Sequence, residues 1–101
     1  MDERLDERQR QRMQFFYEDR RRGFLLGVHP EIFADMKKAG TLEAHAAEIA
    51  QQALQRMEAL TKQVFERARG IADPAEREAY VREMLIEASR TVAVEIIRAA
   101  P

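Results

Sequence analysis

The stretch Gly70-Ile71-Ala72-Asp73-Pro74-Ala75-Glu76 separates two long periodic segments, and its reading decides the fold. Gly70 can close the helix before it. Asp73 is a good N-cap, and Pro74 suits the first helical position, where no amide hydrogen is needed. Glu76 stands where a variant capping box places its acid. Upstream, Leu42, Ala46, Ile49, Ala53, Leu60 and Val64 recur at three-to-four spacing, flanked by Leu54, Met57 and Phe65. Downstream, Val81, Leu85, Ala88, Val92, Ile96 and Ala99 do the same. That is the helical period. The reading is two helices over about 41–69 and 74–100, each on the order of 40 Å long at ~1.5 Å per residue. A link this short makes them antiparallel neighbours, so the fold class is all-α, dominated by a long helical hairpin.

The other glycines and prolines complete a four-helix pattern with no credible strand. The first helix is expected over about 2–22, with Gly23 as its left-handed C-cap. Residues 1–12 are nearly all charged, with Leu5 alone among Asp, Glu, Arg and Gln, and are expected to project or fray. Anchoring then begins at Met13, and 13–101 forms the packed part of one domain. A short second helix runs from about 30 to 39, with Pro30 first, Glu31 at the positive end and Lys37 and Lys38 at the negative end. Its apolar face is Ile32, Phe33 and Met36, Gly40 stops it, and Thr41 is the expected N-cap of the third.

Composition narrows the function classes. At 101 residues the chain is one domain by size. Its formal net charge of −1 gives no overall attraction to phosphate. With no cysteine there is no disulfide, thiolate catalysis or thiolate metal site. No apolar run approaches the ~18 residues of a membrane span, and MDERLDERQRQR lacks the apolar segment of a secretory signal. The expected setting is the cytoplasm. Arginine outnumbers lysine fourteen to three, which reads as a GC-rich bacterial genome.

Candidate chemistry is sparse. His45 and Glu48 lie three residues apart, giving two ligands where a zinc site wants three or four, and the Glu-x-x-His order of di-metal bundles is reversed. His45 reads as a surface histidine, and His29 as a helix-entrance residue. Ser89 is the single serine, and the abundant carboxylates alternate with arginine on solvated faces. The expectation is therefore no enzyme, no metal, no cofactor and no small-molecule substrate.

Two features point to partners. In the tail TVAVEIIRAA, a second apolar row of Ile86, Ala93, Ile97 and Ala100 lies roughly 100° from the first, and Val94 faces a third side. One neighbouring helix cannot cover so much, so Ile86, Ala93, Val94 and Ile97 are the expected homodimer interface, completing a four-helix bundle. The other feature is Phe15-Phe-Tyr-Glu-Asp-Arg-Arg-Arg22. A structural reading makes the arginines the cationic end of the first helix, with one stacked over an exposed ring. A functional reading makes Arg8, Arg12, Tyr17, Arg20, Arg21 and Arg22 a surface for a protein partner or, less favoured, nucleic acid. Seven arginines in the first 22 residues are set against six acids, far from the surplus that phosphate binders carry. The expectation is a small adaptor or regulatory protein acting by protein binding as a homodimer. The alternative is a nucleic-acid-binding accessory or transcription regulator using the arginine-rich first helix.

Overall fold

The computed structural model describes residues 6–101. They form α1 (Glu7–Val28), α2 (Pro30–Ala39), α3 (Leu42–Ala68) and α4 (Pro74–Val92), which continues into a π-helical turn, Ala93–Ile97. Among the described residues there is no strand, and no helix is long and apolar enough to cross a membrane. The all-α hairpin is as expected. Asp73 caps α4 by accepting the Glu76 amide at 2.9 Å. Gly40 closes α2 at φ 76°, and the Gly40 and Thr41 amides bond back to Lys37 and Met36. That is a conformation in which glycine carries no Cβ penalty.

α3 is the central rod. Along it, Arg22 meets Glu43, Gln14 donates to the Ala47 carbonyl and Arg10 pairs with Glu58, so α1 runs antiparallel over its first half. α4 runs antiparallel on another side, with the Arg56–Glu95 pair well away from the Gly70 turn. The backbone of α1 approaches this last rod only at the π turn. Because the hairpin outruns the helix lying on it, the chain is 55 Å long, with a radius of gyration of 16.1 Å. A compact chain of this size would have about 13 Å.

The core follows the covering helix. Tyr17, Ala50, Ala53, Leu54, Val92 and Ile97 are buried together, with Met13, Ile49, Met57, Leu60 and Ile96 packed around them. Beyond residue 60 only Val64 and Ala68 are buried on α3, and nothing on α4 is buried before Ala88. Phe65, Tyr80, Val81, Met84 and Leu85 stay half-buried between two rods.

Several local expectations need correction. α1 does not stop at Gly23. It runs through Gly23 and Gly27 to Val28, because Tyr17, Arg21 and Leu25, spaced by four, must stay in one register to be buried against the hairpin. It ends where Pro30 disfavours helical backbone at His29, which sits at φ −129° and ψ 60°. The expected start, and the fraying of 1–12, lie partly outside the described residues. From Asp6 onward the helix is capped reciprocally, Asp6 accepting from the Gln9 amide at 2.8 Å and the Gln9 side chain accepting from Asp6 at 3.0 Å. Anchoring therefore begins at Arg10, through Glu58, a turn before Met13. Thr41 occupies the N-cap position of α3 without capping it; its hydroxyl turns back to the Met36 carbonyl.

The fourth helix leaves α geometry after Val92. The Arg98 amide bonds to the Ala93 carbonyl, an i→i+5 turn that rotates less per residue than an α-turn. Ile97 is thereby swung toward the Val92 side and is 4% exposed, buried within its own chain. Of the expected interface row, Ile97 is thus unavailable to a second copy and Ala93 is half-covered, whereas Ile86 and Val94 remain open at 51% and 67%.

Candidate functional site

The three arginines after the aromatic triplet part ways because successive helical positions are 100° apart. Arg20 points outward and lies over the Phe16 ring, 5.1 Å from its centroid. Arg22 pairs with Asp19 and with Glu43 on α3. Arg21 turns inward and is 1% exposed, the one buried charged side chain among the described residues. Its partners are backbone: one terminal nitrogen donates to the Ile97 carbonyl at 2.9 Å and to the Ala99 carbonyl at 2.6 Å. A cation does offset the negative end of a helix here, but the helix is the last one and not its own. Burial lowers the Arg21 pKa, a direction that leaves a guanidinium charged.

The same arginine explains His45. Nε of Arg21 donates to Nε2 of His45 at 3.1 Å, so that ring nitrogen must be unprotonated. His45 is half-buried and engaged, not a surface histidine. Burial first, then the Arg21 charge, push its pKa below 6.5, opposed by Glu48. Among the described residues no three His, Asp or Glu side chains converge on a common point. His29 supplies the backbone N-cap position of α2 with no side-chain cap, and its ring packs edge-on against Phe24 at 5.5 Å.

Of the aromatic triplet, Tyr17 alone goes inward, at 6% exposure, while Phe15 and Phe16 stand out at 67% and 51%. Burial raises the Tyr17 pKa. Tyr17 and Phe16 open onto a groove of about 710 Å³ between α1 and the rod formed by α4 and its π turn. Gly23, Phe24 and Val28 continue the α1 wall, Ser89 and Ala93 lie opposite, and Ile97 contributes from the core. Arg20, Arg90 and Arg98 border it, with Asp19. The groove exists because α1 crosses the hairpin near the π turn and leaves the α4 side of its own surface unfilled.

Of the arginines singled out from the sequence, only Arg20 borders this groove from the exterior; Arg8 and Arg12 are exposed further toward the start of α1, and Arg21 and Arg22 are spent on internal contacts. Sequence reading missed Arg98, Gly23 as a groove wall, and the His45–Arg21 contact. The unbroken helical register of α1 through Gly23 was the signal: Tyr17, Arg21 and Leu25 fall on one line. In comparisons with protein-family models, curated proteins and solved structures, nothing matches this chain.

Proposed function

We propose that this protein acts by binding another protein, without turnover, as a small adaptor or regulator that also pairs with a second copy of itself. The observation that carries this reading is the set of large apolar side chains left in water. Phe15, Phe16, Leu26 and Val28 on α1, and Ile86 and Val94 on the last rod, are each 51–67% exposed. Single exposed apolar residues are ordinary, but six among the described residues, with Phe16 and Val28 on the wall of one groove, mark surfaces that work by being covered. Ile86 and Val94 are the remaining contacts for a second copy. The arginine-rich, cysteine-free composition supports a bacterial cytoplasmic setting.

Nucleic-acid binding draws less support. Arg10, Arg21 and Arg22 are engaged by partners within the chain, and Arg8, Arg12 and Arg20 share α1 with Glu7, Glu18 and Asp19. Light scattering tests self-association: the wild type runs as a dimer, and Ile86→Glu with Val94→Glu runs as a monomer of unchanged helicity. A monomeric wild type removes the self-pairing part. A salt-sensitive mobility shift with duplex or single-stranded probes would replace protein binding with the nucleic-acid reading.

A further inference from the structure

We infer that the groove between α1 and the last rod receives an amphipathic helix with acidic flanks, about three turns long, supplied by a protein partner. The inference rests on the protein-binding reading above and names the occupant of one of its surfaces.

Length comes first. The α1 wall runs from Phe16 to Val28, which at ~1.5 Å per residue is about 18 Å, or three helical turns. Its inward surface is apolar through Phe16, Phe24, Ala93 and Ile97, as a helix-in-groove site requires. Depth comes next. A Cβ built on Gly23 or on Gly27 would meet nothing within 4 Å, so neither glycine is needed for packing inside this chain. Both weaken the helix that holds them. What Gly23, which lines the groove, does provide is a low wall on which another backbone can lie close.

Polarity decides the sign of the occupant. The Tyr17 side chain is 6% exposed and lines this groove, and no buried side-chain nitrogen or oxygen among the described residues lacks a partner. On the rim, Asp19 is paired with Arg22 and Arg90 with Glu87. Arg20 and Arg98 remain without a carboxylate among the described residues, one at either wall. An unneutralised cation on each side of an apolar trough is complementary to a helix carrying Glu or Asp beside its apolar stripe.

The test is selection of 16-residue peptides from a random displayed library against the full chain. Enriched sequences are expected to carry apolar residues at i, i+3 or i+4 and i+7, with flanking Asp or Glu. Their binding should perturb the amide resonances of Gly23, Val28, Ser89 and Ala93. Arg20→Glu with Arg98→Glu, both exposed and without a carboxylate partner among the described residues, should weaken binding at least tenfold. Gly23→Leu should raise the melting temperature, because it replaces an unpacked helical glycine, and yet weaken binding at least tenfold by filling the trough. That opposed pair of effects is not expected of a residue with a purely structural role. Failure to enrich any peptide, enrichment without acidic residues, or binding indifferent to these variants overturns the inference. Peptides that bind but map to Ile86 and Val94 overturn it while leaving the protein-binding reading standing.

Discussion

The two halves of the hairpin are built from the same kind of residue and differ in what lies over them. Near the α2 end, α1 covers α3, and Leu25, Ala46, Ala50, Ala53 and Val92 are fully buried. Toward the Gly70 turn none of the described residues forms a third helix over the hairpin, and Phe65, Val81 and Leu85, equally apolar, stay half in water. Two rods bury only a single seam between them. The difference teaches that burial in this chain is set by coverage and not by hydrophobicity of the sequence, and that Arg21 is what fixes the cover to the far end of the hairpin.

Breaking the covered half should be costly. Leu25→Ala empties a site with no solvent exposure and should lose about 3 kcal/mol by chemical denaturation. Arg21→Ala should lose about 2 kcal/mol, since it strips the Ile97 and Ala99 carbonyls of their charged donor. Its unfolding should also expose the π turn early, seen as rapid amide exchange of Arg98. The matched change in the bare half, Leu85→Ala, should lose under about 1 kcal/mol, because its side chain is already partly in water. A loss equal to that of Leu25→Ala would show that the distal half is covered in solution.

The smallest expected effect is a pH dependence. In the fold, His45 accepts from Arg21 and its pKa is held below 6.5, whereas the unfolded chain takes up a proton near that value. Above pH 6.5 neither state is protonated and the stability is unaffected. As pH falls below 6.5 the unfolded state binds the proton first, so stability declines until the folded pKa is passed. His45→Gln keeps an acceptor for Arg21 and should flatten the decline between pH 6.5 and 5.5 in thermal melts. A wild type with the same slope as His45→Gln would detach His45 from Arg21.

Much of this was legible in the sequence, and the parts that were not have a common cause. The hairpin and its caps follow from local rules: Asp73 and Pro74 act on their own turn, and Gly40 on its own C-terminus. What local rules misjudged depended on distant partners. Gly23 looked like a stop because glycine usually is one, but burial of Leu25 outweighs the roughly 1 kcal/mol that a helical glycine costs. Arg21 looked like a cap for its own helix, while the carbonyls it reaches lie 76 and 78 positions away. Ile97 looked free because an α-helical wheel was continued past Val92; the β-branched cluster Val92, Val94, Ile96 and Ile97 lowers helix propensity but does not announce a π turn. The groove was invisible for the same reason, since its two walls belong to the first and last helices.

Amide hydrogen exchange, at a concentration low enough for light scattering to report a single copy, tests the dependence of burial on coverage most directly. Slow exchange over 46–57 and 88–97, with markedly faster exchange over 62–85, is the expected pattern. Equal protection along both rods to the Gly70 turn would contradict it.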